Sequence, residues 1–200
     1  MPKPSIKLEA AKQAIAFPDF HSDELLELAL TDPRSYNESD LPKEEQDECK
    51  REYRRFAFLG DTLIDSVLAD YLYQTGHDLT QEDFDDWRQA VADRESLTDF
   101  AIELELPSFS SSCDQKNRKP PEEEQGTWGE MFEALVGVLF LDSDRNFDKV
   151  ARWLCDRFLR DAIAAYEDDE DEDYDAEDTT VTAADYAEMM GVPGSWEAFL

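Results

Sequence analysis

Residues 54–73, RRFAFLGDTLIDSVLADYLY, combine the pattern of a buried helix with a glycine in its middle. The apolar residues recur every three or four positions, which predicts an amphipathic helix. They are Phe56, Leu59, Leu63, Val67 and Tyr71. Gly60 would cost this helix ~1 kcal/mol relative to alanine, so its presence indicates close approach of another helix or a ligand. Asp61, beside that glycine, is therefore a candidate metal ligand.

A second stretch, WGEMFEALVGVLFLD at residues 128–142, repeats the combination of acid and glycine. Helical spacing places Glu130, Glu133 and Gly137 on one face, beside an apolar stripe. If the two glycines pack together, Asp61, Glu130 and Glu133 converge, and their charges repel unless a divalent cation lies between them. The alternative is two core helices with ordinary solvated acids, in a chain that has 50 acidic residues.

Both stretches resemble signature motifs of the ribonuclease III family, FAFLGDTLID the first and GEMFEALVGVLFLD the second. DWRQAVADRESLTDFAIELELP (residues 86–107) and LLELALTDPRSYNES (residues 25–39) also resemble the family. Order and spacing match over residues 20–165, which implies the all-α fold of the ribonuclease III endonuclease domain. In length the chain resembles Mini-III, the family's short form, which lacks a double-stranded-RNA-binding domain. The absence of long strand-type alternation independently favours an all-α domain.

The resemblance implies metal-dependent hydrolysis of phosphodiester bonds in double-stranded or structured RNA, as in rRNA processing, by a homodimer with two sites. The catalytic and metal-binding residues would be Asp61, Glu130 and Glu133, and oxygen ligands favour Mg²⁺ or Mn²⁺. Glu130 stands where the family usually has aspartate. Ala57 stands where it usually has a metal-binding glutamate, although Mini-III-like sequences also have alanine there. Arg54 replaces a commonly acidic residue one turn earlier.

Two basic clusters are candidates for RNA contact. Lys116, Arg118 and Lys119 lie in a polar loop at residues 108–127, where the family has a basic stretch that approaches RNA. Arg54 and Arg55 belong to a cluster at the start of the central helix, whose alternative interpretation is a solvated helix start. The net charge of −31 argues against an RNA partner on composition alone, because phosphate is bound by Lys and Arg.

Two other functions remain open beside the nuclease. One is a ribonuclease III fold without turnover that acts as an RNA-associated or ribosome-associated scaffold. The other is an interaction protein that works through its acidic C-terminal tail. Residues 167–178 contain ten acids in twelve positions, so like-charge repulsion predicts disorder there.

The domain organisation predicted from composition has four parts. Residues 1–19 form an N-terminal arm, and residues 20–166 form the ribonuclease III-like domain. Residues 167–179 are an acidic linker, and residues 180–200 are an amphipathic segment that binds a protein partner or docks onto its own domain. Within the domain, residues 32–46 are predicted as a loop, with a helix break near Ser96 and a last helix over residues 146–166.

The expected location is the cytoplasm. The cysteines at 49, 113 and 155 show neither a pairing number nor the spacing of a zinc site. The N-terminus has no apolar core of a secretory signal, and no apolar run approaches the ~20 residues of a membrane span. We therefore expect a soluble protein without a membrane partner.

Overall fold

A computed structural model describes residues 8–75, 80–110 and 125–166, and within these ranges the chain forms helices and no β-strand. The helices are α1 (Leu8–Ile15), α2 (Asp23–Ala29), a 3₁₀ helix (Pro33–Glu38), α3 (Lys43–Gln74), α4 (Gln81–Val91), α5 (Arg94–Glu103), α6 (Leu106–Phe109), α7 (Gln125–Asp142) and α8 (Phe147–Leu154). A π-helical turn, Cys155–Leu159, follows α8, and helix continues to residue 166. The predicted all-α class is confirmed.

The chain divides into two compact units, residues 1–163 and 164–200. The description of the second unit stops at residue 166, so the linker predicted at 167–179 and the segment predicted at 180–200 lie outside the described residues. Among the helices that are described, none combines the length and apolar character needed to cross a membrane.

The central helix α3 begins earlier than its apolar pattern predicts. Residues 33–38 form the 3₁₀ helix and α3 starts at Lys43, so the prediction of a loop over residues 32–46 is wrong in part. Pro33 is tolerated because the first turn of a helix needs no N–H donor, and the Asp32 side chain accepts from Arg34 N. Glu44 and Glu45 lie in the first turn of α3, where the helix dipole favours negative charge. These local signals outweigh the polar composition.

The buried face of α3 is wider than the predicted stripe, because this helix packs against α2, α4, α7 and the 3₁₀ helix. Leu59 and Tyr71, both predicted to be buried, are half-exposed. The residues that α3 buries are Tyr53, Phe56, Ala57, Gly60, Leu63, Ile64, Val67, Leu68 and Leu72.

Helices α3 and α7 cross at a contact between backbones. A Cβ atom at Gly60 would overlap the carbonyl oxygen of Glu133 and lie 2.6 Å from its carbonyl carbon. A Cβ atom at Gly137 would overlap the carbonyl oxygen of Phe56 and lie 3.0 Å from its carbonyl carbon. Each helix therefore uses a glycine to admit the backbone of the other. The close approach that the sequence predicts for these two glycines is confirmed.

Helices α4 and α5 are separate elements with their own caps. Thr80 and Asp83 form a capping box at the start of α4. The break falls at residues 92–93 and not near Ser96, because the Asp93 side chain accepts from Ser96 N and so caps α5. Downstream, Phe100 packs against Phe132 of α7, with 5.6 Å between the ring centroids.

The C-terminal end of α1 is held by side chains from the last helix. Trp153 Nε1 donates to the Ile15 carbonyl over 2.8 Å. Arg157 Nη1 donates to the carbonyls of Ala14 and Ile15, each over 2.9 Å. The terminal carbonyls of a helix have no partner within it, so these donors dock α1 onto the core.

We predict that Gly60→Ala destabilises the protein by about 3 kcal/mol, because the new methyl meets backbone that cannot move aside. This is a net value, since alanine regains ~1 kcal/mol of helix propensity. Gly129→Ala is the matched control on α7, because its methyl would lie 3.4 Å or more from any neighbour. Urea unfolding of both variants checks the prediction, and equal stabilities would contradict it.

Candidate active site

The glycine crossing brings three acids to one open groove. Asp61 follows Gly60 on α3, and Glu130 and Glu133 project from α7 into the same groove, which has a volume of about 860 Å³. Its walls also include residues of α4 and α5, among them Arg88 and Arg94. The sequence predicts that these acids converge, and they do line one groove, but within the described residues they do not lie close enough together to hold one ion between them. Their chemical roles stay predictions.

The three carboxylates carry negative charge that the protein does not fully compensate. Burial and, to a smaller extent, the neighbouring charges of Asp61 and Glu130 together raise the pKa of Glu133 to about 7. Burial also raises the pKa of Asp61, with Asp65 adding to the effect. The pKa of Glu130 is raised by burial as well. Such a site is stabilised by any cation that enters it.

Three arginines provide partial compensation. Arg88 Nε donates to Asp65 over 2.6 Å, and Arg88 Nη2 donates to Asp61 over 3.3 Å. The charge of Arg54 opposes the rise in the pKa of Glu130, and the charge of Arg94 does the same for Glu133. Sequence reasoning missed Arg88 and Arg94. The one feature of the sequence that could have identified them is their position in residues 86–107, between the two acidic motifs.

A buried hydroxyl lies close to the acids. Tyr53 on α3 is fully buried, and its hydroxyl has no hydrogen-bond partner among the described residues. Burial raises its pKa, and the charges of Glu130 and Asp32 add to the rise. Because an unsatisfied buried donor costs about 1–3 kcal/mol, its place beside the acids indicates a polar site rather than a simple core.

The donor chemistry of the groove fits a divalent cation. Carboxylate oxygens are the ligands that Mg²⁺ and Mn²⁺ prefer, and Asp61 and Glu133 flank the glycine crossing from both helices. Within the described parts of the chain, no three His, Cys, Asp or Glu side chains converge closely enough to hold one ion. Asp61 is instead paired with Arg88.

The residues predicted to contact RNA fall into two groups. Arg54 and Arg55 are exposed and line a second groove with Phe58, and Arg55 also forms an ion pair with Glu52. The loop cluster, Lys116, Arg118 and Lys119, lies outside the described residues.

Comparisons with known proteins show what most of this chain is similar to. A family profile described as ribonuclease-III-like matches residues 22–161. Ribonuclease 3 of Lactiplantibacillus plantarum is 30% identical over 127 residues, which are 64% of this chain and 52% of that protein. Ribonuclease 3 of Listeria innocua is 25% identical over 146 residues, covering 73% of this chain and 60% of that protein. The chain thus spans roughly half to three fifths of the length of these relatives.

Solved structures show the same fold. The nuclease domain of ribonuclease III from Campylobacter jejuni superimposes with a TM-score of 0.59 at 24% identity, over 76% of this chain and 98% of that domain. A second structure of that nuclease domain gives a TM-score of 0.58, also at 24% identity, over 76% of this chain and 96% of that domain. With the profile match over most of its length, the chain belongs to the ribonuclease-III-like family.

Proposed function

We propose that this protein is a metal-dependent endoribonuclease that hydrolyses phosphodiester bonds in double-stranded or structured RNA. The observation that carries the proposal is that Asp61, Glu130 and Glu133 line one groove beside the glycine crossing. Relatives called ribonuclease 3 support the reaction class. Processing of rRNA is one such use.

In this proposal Asp61 and Glu133 hold the divalent ion, and Glu130 takes part directly or through a water molecule. The ion, when bound, activates water and stabilises the departing oxygen. The protein itself positions the carboxylates and provides their electrostatic environment. The two helices fix the carboxylates through a rigid backbone contact, and burial of Glu133 strengthens its electrostatic interactions. The groove also has room for a stretch of nucleic acid beyond an ion alone.

A scaffold function is the second candidate, and two residues favour it. Ala57 is 4% exposed on the face that packs against α7 and offers no ligand where the family usually has glutamate. Arg54 brings positive charge next to Glu130. A fold that has lost turnover would still bind structured RNA, so RNA binding without cleavage would identify this function. The third possibility, an interaction protein acting through residues 167–200, depends on residues that are not described.

A homodimer is part of the proposal, and an exposed apolar groove supports it. Phe58 is 75% exposed, although it lies in the middle of the long helix α3. It shares a groove with Leu59, Phe140 and Leu141, which is bordered by Arg51 and other arginines. The Campylobacter jejuni nuclease domain is described as having a region involved in dimer formation. A second copy of the chain would cover Phe58 and place two acidic grooves in one particle.

We predict that Asp61→Asn abolishes cleavage of duplex RNA in Mn²⁺ or Mg²⁺ and leaves the fold intact. The substitution is nearly isosteric and removes the charge that would hold the ion. Asp85→Asn is the matched control, because Asp85 lines the same groove on α4 but is not one of the three converging acids. Gel analysis of duplex RNA with each metal and with EDTA is the measurement. Cleavage by Asp61→Asn at the wild-type rate would overturn the assignment.

We predict that Glu133→Gln stabilises the metal-free protein at pH 8 by about 1 kcal/mol, or roughly 2–4 °C in Tm, after discounting for solvent screening. The folded pKa of about 7 lies above the ordinary value of 4.5, so wild-type stability falls as pH rises between these values. Glutamine stays neutral and avoids this loss, so the difference should disappear below pH 4.5. Thermal melts in EDTA provide the test, with Glu103→Gln as an exposed control. Equal Tm values at pH 8 would show that Glu133 is not destabilising.

We predict that Phe58→Ser weakens the dimer by about 2 kcal/mol or more, which is roughly a 30-fold higher dissociation constant. The serine removes the aromatic ring that would anchor the interface. Tyr73→Ser is the control, because Tyr73 is 84% exposed on the same helix but does not line this groove. Sedimentation equilibrium measures both variants. The interface is elsewhere if Phe58→Ser dimerises like the wild type.

A further inference from the structure

The guanidinium of Arg88, on α4, contacts two acids of α3. Its Nε contacts Asp65 over 2.6 Å, a short charge-assisted hydrogen bond. Its Nη2 contacts Asp61 over 3.3 Å, beyond the usual length of a hydrogen bond between charged groups. The side chains of Arg88 and Asp61 are each 40% exposed, so both remain accessible from the groove.

The two contacts have different strengths and therefore different consequences. Asp65 holds the guanidinium through its Nε atom, and this contact links α4 to α3. The contact with Asp61 adds little to that tie because it is longer and partly solvated. It does occupy the carboxylate that stands next to the glycine crossing, and it directs a positive charge into the acidic groove.

We propose that Arg88 is an internal counter-ion that competes with a divalent cation for Asp61, while Asp65 keeps the guanidinium at the edge of the groove. This inference rests on the proposed function, because it concerns the same carboxylate. The guanidinium contacts one oxygen of Asp61, so it would oppose an ion on that oxygen by occupancy and an ion on either oxygen by like charge. The affinity of the groove for divalent cations is therefore set partly by Arg88.

The charges in the groove explain why the competition is balanced. One guanidinium carries a single positive charge and faces two carboxylates, so Arg88 does not neutralise Asp61 and Asp65 together. Negative charge remains to attract a cation. The pair also keeps Asp61 compensated in the metal-free protein, which limits the repulsion between Asp61 and Glu133. Removal of Arg88 should thus favour cation binding and increase repulsion when no cation is present.

The test is direct binding of Mn²⁺ to the full-length protein, followed by the electron paramagnetic resonance signal of the free ion. Arg88→Gln should bind Mn²⁺ on the order of tenfold more tightly than the wild type, a coupling typical of two ligands that compete for one group. Arg88→Lys should fall between them, because lysine keeps the charge but cannot span both acids with one planar group. Arg160→Gln is the control, since it removes an arginine paired with Asp156 at a distant helix.

The outcomes separate this inference from the proposed function. Tighter binding by Arg88→Gln, with Arg160→Gln like the wild type, supports the competition. Equal affinities of wild type and Arg88→Gln overturn it and leave the nuclease proposal standing. If Arg88→Gln and the wild type both fail to bind Mn²⁺, the proposed function and this inference fall together. Should Arg88→Gln fail to fold, an Arg88→Lys affinity equal to the wild type would also overturn the competition.

Discussion

The contact between the backbones of α3 and α7 determines both the core and the candidate site. Gly60 admits the carbonyl group of Glu133, and Gly137 admits that of Phe56, so the two helices approach more closely than side chains would allow. This contact fixes the register between them. Asp61 immediately follows one glycine, and Glu133 lies one turn before the other. The residues that set the packing and the acids of the candidate site are therefore neighbours in sequence, and neither set can shift without the other.

Electrostatic repulsion is the consequence of that arrangement. The groove gathers carboxylates in a chain whose net charge is already −31. Arg88, Arg54 and Arg94 each lie close to one of the acids and partly offset its charge. The pKa of Glu133 is still raised to about 7. A domain selected only for stability would not keep a half-buried carboxylate in this state. The destabilised charge of Glu133 therefore supports the proposed role of this residue in function.

Sequence reasoning reached the parts of the structure that depend on local pattern. Helical spacing identified α3 and α7, and the cost of a helical glycine predicted the approach at Gly60. The ion pair between Arg88 and Asp61 was out of reach, because it depends on the angle at which α4 leaves α3 and no local signal encodes that angle. The start of α3 at Lys43 was missed for the opposite reason. The acidic residues that favour a helix start, Glu44 and Glu45, were present in the sequence, but the low apolar content of the segment obscured them.

Ala57 shows how the same repulsion shapes the ligand set. Its side chain is buried on the face of α3 that meets α7, one turn before Gly60. A glutamate there would place another carboxylate one turn before Asp61, near charges that already raise the pKa of Glu133. It would also need its own counter-ion, and Arg88 is already shared between Asp61 and Asp65. Alanine at 57 and arginine at 54 both reduce the negative charge at the crossing. In the metal-free protein they therefore act in the same direction as Arg88, which limits repulsion at the expense of cation affinity.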